Sequence, residues 1–275
     1  MSGPTTRSRL TPFVRASIAL HAAAIPAVAV WPRRWPWIAG TLVANHCVVL
    51  AAGLFPKSAM LGPNLVRSRA AGGDRSVILT FDDGPDPAVT PKVLDLLDAR
   101  GATASFFCIG RRVERYPDVA QEIVRRGHRI ENHTYTHRLT FFFHTPSTLE
   151  REVLACQHAV ERASGRAPVY FRAPAGIRSP LLQPVLARAG LALASWTRRG
   201  FDTVARDPVP VAARLTAALS AGDVLLLHDG ADAAGEPRRA IVLEALPRVL
   251  DAIDEAGLRG RSWSDERQAP VAAHD

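Results

Sequence analysis

Acidic residues are missing from Pro12 to Phe55, a stretch built instead from Ala, Val, Leu, Ile and Trp. Charges of both signs spread through everything after Arg67, so the first fifth of the 275-residue chain differs in kind from the remainder. Cysteine is scarce as well. Cys47 lies in an apolar run, Cys108 in an apolar strand pattern and Cys156 in a helical pattern, with neither disulfide nor zinc spacing among them. No glycine-rich turn follows the first strand pattern, which argues against an open nucleotide-binding sheet. The net charge of +8 is carried by scattered arginines such as Arg125, Arg126, Arg151 and Arg162, with no basic stripe interleaved with aromatics. Nucleic acid is therefore not an expected partner; a solvated surface or attraction to anionic lipid accounts for the balance.

The first fifth contains two apolar runs. Phe13 to Trp31 is broken only by the ionisable Arg15 and His21, Pro32-Arg33-Arg34 interrupts, and Trp35 to Phe55 follows. A bilayer span needs about 20 such residues. Trp31, Trp35 and Trp37 flank the interruption, where interfacial aromatics of a two-span hairpin sit. The expected organisation is a membrane anchor over residues 1–56, a linker over 57–75, a large domain over 76–263 and a disordered tail over 264–275, giving a multi-pass protein of the cell membrane. A signal peptide is the rival reading, with Arg7 and Arg9 as its basic start and Ala27-Val28-Ala29 as a cleavage site. The flanks Arg7, Arg9, Lys57, Arg67 and Arg69 outnumber Arg33 and Arg34 in the hairpin, a lean towards a cytoplasmic domain that leaves the side of the membrane open.

From Ser76 onward, short apolar runs alternate with helical patterns. Strands are expected at residues 77–81, 104–109, 128–132, 169–172, 191–196, 224–228 and 258–263, and helices at 90–100, 118–126, 146–163, 180–189, 209–220 and 238–256. Gly101, Gly127, Gly165, Gly190, Gly222 and Gly257 each follow a helix, as C-cap glycines do. Seven strands alternating with helices predict a parallel α/β fold, and a closed or nearly closed barrel before an open sheet.

In such a barrel, chemistry gathers at the carboxyl ends of the strands. Asp82 and Asp83 close the first strand, His133 and His137 follow the third, Arg172 ends the fourth, Asp202 follows the fifth and His228 ends the sixth. Two adjacent carboxylates converge on one site only where the strand stops and the backbone turns, and Gly84-Pro85 supplies a turn. Held close, the pair requires a metal or an arginine beside it. His133 and His137, four apart, share a face on a helical turn, and with Asp83 they make a two-nitrogen, one-oxygen set that leaves a position open.

Thr80 to Pro85, His133 to His137, Phe171-Arg172-Ala173-Pro174 and Leu225-Leu226-Leu227-His228-Asp229 together resemble the ordered motifs of the polysaccharide deacetylase family, the NodB homology domain of carbohydrate esterase family 4. The resemblance runs from about Ser76 to Trp263. It implies a distorted (β/α)7-type barrel and divalent-metal hydrolysis of an acyl group, usually N-acetyl, from a sugar. By position, Asp82 resembles the catalytic base, Asp83, His133 and His137 the metal triad, His228 the catalytic acid and Arg172 the group that orients the base. Leu226, Pro174, Ala175, Trp196 and Asp202 fall around the substrate pocket, with Asp202 also placed to tune His228. One divalent ion is implied, zinc first among the transition metals.

The sequence departs from the family pattern twice. Ala175 stands where the third motif carries an aromatic, which removes a wall of the substrate groove, and Trp196-Thr197-Arg198-Arg199-Gly200-Phe201-Asp202 replaces the usual Asp and Trp of the fourth. Arg198 and Arg199 near the rim are either surface residues or partners of a phosphate. His128 and His144 read as surface or loop residues, and Phe141-Phe142-Phe143 as a rim or membrane-facing loop. The leading expectation is a membrane-anchored deacylase acting on an acetyl or formyl group of an envelope or lipid-linked amino sugar. An O-acetyl esterase and a non-catalytic glycan-binding module are the alternatives.

Overall fold

The structure is a computed structural model, and it describes residues 10–68, 74–230 and 241–263. Arg7, Arg9, Arg69 and the tail from Ser264 lie outside the described residues. Two long helices come first, α1 (Pro12–Val30) and α2 (Trp35–Leu54), joined by a short 3-10 turn at Pro32–Arg34. Both are long and apolar enough to cross a membrane, a test that a signal sequence near an N-terminus also passes. They are not core helices of the domain, because most of their surface is uncovered. They are held to each other by Asn45 Nδ2, which donates to Ser17 Oγ at 2.8 Å, and by a small cluster of Val14, Ala52 and Leu61.

Among the described residues eight strands follow: β1 (Ser76–Asp82), β2 (Ser105–Cys108), β3 (Arg129–Asn132), β4 (Tyr170–Phe171), β5 (Ala192–Leu193), β6 (Arg198–Arg199), β7 (Val224–His228) and β8 (Arg259–Arg261). Every ladder is parallel, in the order β5-β4-β3-β2-β1-β7-β6, with β8 paired to the first half of β1. The helices between them are α3 (Thr90–Asp98), α4 (Gly110–Arg115), α5 (Pro117–Arg125), α6 (Pro146–Ser164), α7 (Leu182–Ala189), α8 (Pro208–Thr216) and α9 (Ile241–Glu255). This is a curled parallel half-barrel. Between the edge strands runs one stretch of chain that belongs to both: β5 bonds β4, five residues on β6 bonds β7, and Leu65 bridges the interval by hydrogen bonds to Leu193 and Ser195. The stretch expected as a linker thus buries Leu61 and Leu65.

Strand alternation decides what faces the barrel interior. On β1 the odd residues Val77, Leu79 and Phe81 pack outward against the helices, while Ile78 joins Phe107, Tyr170, Trp196, Leu226 and Trp263 inside. On β7 Leu225 and Leu227 go outward, Val224 and Leu226 inward. Both faces of these strands are buried, so their sequence reads as a continuous apolar run.

The two parts of the chain meet at the end of α2. Arg178, buried, donates to the carbonyls of Ala52 at 2.6 Å, Phe55 at 2.9 Å and Ser58 at 2.8 Å, satisfying acceptors that a helix end leaves open. Its backbone N–H donates to Gly53, and a β-carbon at Gly53 would stand 2.8 Å from the Arg178 carbonyl, so only glycine permits this approach. Two segments expected at the surface are buried in whole or in part. His128 is buried in the core, its Nδ1 accepting from the Ala104 N–H at 3.2 Å beneath the edge of the Phe106 ring. Of the phenylalanine trio only Phe143 is well exposed; Phe141 is buried against Phe171.

Candidate active site

Asp82 and His228 are cross-strand partners. The β1–β7 register pairs Ile78 with Val224, Thr80 with Leu226 and Asp82 with His228, all on the inward face, so the two groups arrive at the rim side by side. Asp83 would point outward if the strand continued. Its φ of +74° turns the chain instead, and its carboxylate swings back over the rim beside Asp82.

Arg172 follows β4 and is buried at 1% exposure. Its guanidinium donates to Asp82 Oδ1 at 2.6 Å, to Thr80 Oγ1 at 2.9 Å and to the carbonyls of Ala194 and Ser195, with the Phe107 ring 4.0 Å beneath. One oxygen of Asp82 is thereby fixed. The other faces His133 Nε2 at 3.8 Å.

His133 and His137 do not lie on a helix. They occupy a loop after β3 in which Thr134 and His137 both take positive φ, 63° and 54°. Asn132 Oδ1 accepts from the Thr134 N–H, Thr134 Oγ1 accepts from the His137 N–H, and Glu152 on α6 accepts from both the Thr136 N–H and its hydroxyl. These bonds build a tight turn that aims both imidazoles at one point. The four-residue spacing brings the rings together as expected, by loop geometry in place of helical periodicity. His133 Nδ1 donates to the Arg172 carbonyl at 2.9 Å, which leaves Nε2 to face the site. That nitrogen lies 3.3 Å from Asp83 Oδ1, and His137 Nε2 lies 3.2 Å from the same oxygen.

Asp83 Oδ1 is buried and takes no well-directed hydrogen bond from either ring. A buried carboxylate oxygen without a donor, facing two imidazole nitrogens, fits a cation shared among them, and the three ligand atoms lie within 4.8 Å of one another.

His228 is held from behind. Asp202 Oδ1 accepts from its Nδ1 at 2.8 Å and Asp202 Oδ2 from its backbone N–H at 2.7 Å, which leaves Nε2 for the site. Burial lowers the affinity of this imidazole for its proton, but the Asp202 bond and the charges of Asp202, Asp83 and Asp82 outweigh it and push the pKa up to about 9. Asp202 is reached through β6, a two-residue strand that the sequence pattern does not reveal.

The remaining expected residues gather on the same rim. Leu226 faces inward beside Trp196. Pro174 and Ala175 form a 3-10 turn with Ala175 at φ 52°, and Gly176 brings that turn against the Trp196 ring. Arg198 faces the other way: it pairs with Asp223 at 2.7 Å and donates to the carbonyls of Ala217 and Ala218 at the end of α8. Asp229, buried behind the Asp82-Asp83 turn, carries no sequence signal beyond its place after His228. It accepts from Thr90 Oγ1 at 2.5 Å, and a β-carbon at Gly84 would sit 2.4 Å from its carboxylate, so the turn is moulded against it.

The family model for polysaccharide deacetylase matches residues 69–194. The chain is 35% identical over 207 residues to a chitooligosaccharide deacetylase of Sinorhizobium fredii, covering 70% of this chain and 93% of that one. It is 32% identical over 188 residues to a peptidoglycan-N-acetylglucosamine deacetylase of Bacillus cereus, covering 68% and 85%. Its fold superposes on a family 4 carbohydrate esterase from Streptomyces lividans with a TM-score of 0.61 and 29% identity, over 67% of this chain and 91% of that one. By the matched span of the family model and by relatives above 30% identity covered over most of their length, the chain belongs to the polysaccharide deacetylase family and is a deacetylase, a hydrolase of carbon–nitrogen bonds.

Proposed function

We propose that this deacetylase is membrane-anchored and divalent-metal-dependent, and that it removes an acetyl or formyl group from the nitrogen of an amino sugar in an envelope or lipid-linked glycan. The observation that carries the reading is the pairing of Asp82 with His228 on adjacent strands, one with a free oxygen facing the Asp83-His133-His137 set, the other with its outer nitrogen free.

Asp83, His133 and His137 would hold the metal, for which zinc suits two nitrogens and one oxygen, and whose chemistry is to polarise an acyl carbonyl and acidify water. Asp82 takes the proton of the attacking water on the oxygen that Arg172 leaves free. Arg172 holds that carboxylate in one rotamer and sets a positive charge against the two acids. The turn at Pro174–Gly176 would offer the developing oxyanion a backbone N–H, that of Ala175 first, a stabilisation of about 3 kcal/mol per donor in comparable sites. His228 then donates the Nε2 proton to the departing amine, and Asp202 steadies the imidazolium. The strong backing of His228 supports an N-acyl substrate over an O-acetyl ester, whose alkoxide leaves with less help.

Carbohydrate is the substrate partner and membrane lipid the second partner. The exposure of α1 and α2, and the exposed Trp31, Trp35 and Trp37 around their turn, support the anchor. The deciding assay is acetate release by the detergent-solubilised full-length chain, with and without a chelator, from N-acetylchitotetraose and from an O-acetylated xylan. Release from the first alone, lost to chelator and restored by zinc, is expected; release from the ester alone overturns the N-acyl assignment, and release untouched by chelation overturns the metal.

A further inference from the structure

Arg199 is a cation of the rim with no part in the deacylation chemistry. The β6–β7 register pairs Arg198 with Leu225 and Arg199 with Leu226. Parallel partners share a face, so Arg198 follows Leu225 outward to α8, while Arg199 follows Leu226 inward, on the face that carries His228 two residues later. Two aromatic rings flank its guanidinium: Trp196, with the centroid at 5.6 Å, and Phe201, at 5.0 Å. Trp196 also touches Gly176 of the 174–176 turn and lies 5.7 Å from the Arg172 guanidinium, and Phe201 precedes the Asp202 that holds His228. The charge therefore stands in the wall between the oxyanion turn and the proton donor.

Its partners are incomplete. Arg198 has a carboxylate and two carbonyls, whereas Arg199 has no carboxylate and no hydrogen bond among the described residues, and its Nε is buried without an acceptor. Stacking on rings fixes the plane of a guanidinium and leaves its edge N–H groups free, but it supplies no acceptor for them. A half-buried planar cation with a free edge matches an oxyanion bound through two parallel hydrogen bonds.

We propose that Arg199 is an anion subsite of this active site, binding a phosphate or carboxylate group carried by the amino sugar next to the one that is deacylated. The inference rests on the rim being the deacetylase site, and it narrows the substrate to an anionic sugar. A neutral chitin-type chain would leave the guanidinium edge unmet. The sources, a sugar phosphate or an acidic substituent of the sugar, share the chemistry and are told apart by the probes.

The test is calorimetric titration of the full-length protein in detergent with glucosamine 1-phosphate, muramic acid and glucosamine, on wild type, Arg199→Gln and Arg199→Lys, beside acetate release from N-acetylchitotetraose. Wild type is expected to prefer one anionic probe over glucosamine, and Arg199→Gln to lose about tenfold or more of that preference, the scale of a lost charged bidentate contact. Arg199→Lys recovers part of it. The probe that shows the preference names the source. Equal binding of all three probes by wild type overturns the subsite, as does an Arg199→Gln variant that weakens glucosamine and the anions alike. Anion binding that depends on Arg199 without acetate release from N-acetylchitotetraose keeps the subsite and removes the neutral chain as a substrate. Acetate release with no preference that depends on Arg199 does the reverse.

Discussion

Asp82 and Asp83 are neighbours in sequence with opposite surroundings, and substitutions should separate them. Asp82 bonds Arg172 and keeps one oxygen free, whereas Asp83 Oδ1 faces the Nε2 atoms of His133 and His137. Asp83→Ala and His137→Ala are expected to lose bound metal, read by elemental analysis of the purified protein. Asp82→Asn should retain it and lose about 10²–10⁴-fold in turnover, the usual worth of a positioned base. Metal at full occupancy in the first two variants sinks the ligand assignment. The His228–Asp202 pair makes a prediction in pH. A histidine whose pKa is raised to about 9 keeps its proton through neutrality and loses it as pH climbs past that value, so kcat/KM should fall on an alkaline limb near pH 9. Asp202→Asn removes the largest upward cause, and the limb should move to lower pH in a pH–rate profile. A limb that stays in place rules out His228 as the titrating acid.

At the scale of elements, the sequence is most legible where burial is two-sided. The limits of β1 and β7 are read to within a residue, since both faces of those strands are apolar and a turn follows. Legibility fails where the chain departs from regular structure to build the site. The His133–His137 turn carries two left-handed residues held by Asn132 and Glu152, and β6 is two arginines whose pairing is set by β7; neither has a local pattern. His128 misleads for a related reason: a polar residue beside a glycine reads as loop, yet its ring is a buried acceptor for a backbone N–H. The Arg178 clamp is likewise invisible in sequence, being a contact across more than a hundred residues. Arg178→Met should leave three carbonyls at the end of α2 without their donor, a cost of about 1–3 kcal/mol for each that stays dry. The thermal midpoint in detergent is expected to fall by several degrees. An unchanged midpoint would show that water replaces the guanidinium freely.

For the whole molecule the open issue is how the apolar helices relate to the half-barrel. A signal peptide works as a disposable segment with few ties to the mature fold, but α1 has several. Thr11 Oγ1 donates to the Met60 carbonyl at 2.8 Å, Val14 packs on Ala52 and Leu61, and Ser17 receives Asn45 from α2. Cleavage after Ala29 would strip the cover from Ala52 and Leu61 and leave Asn45 facing an apolar surface. The end of α2 is in turn fixed to the domain by Arg178 two residues beyond Gly176, so the apolar helices join the domain next to the active-site rim and not through a long tether. Phe142 packs at Gly53 on this junction, and the neighbouring Leu139 and Phe143 project apolar side chains into solvent beside it. If the helices span a membrane as proposed, this junction would hold the rim near the bilayer surface, within reach of a lipid-linked amino sugar. Membranes from cells making the full-length chain should therefore retain it through a carbonate wash, and the intact mass of the purified protein should include residues 1–29. Release by carbonate overturns the anchor. Retention of a chain that begins after Ala29 would overturn the hairpin and leave α2 as a single span, still clamped to the rim through Arg178.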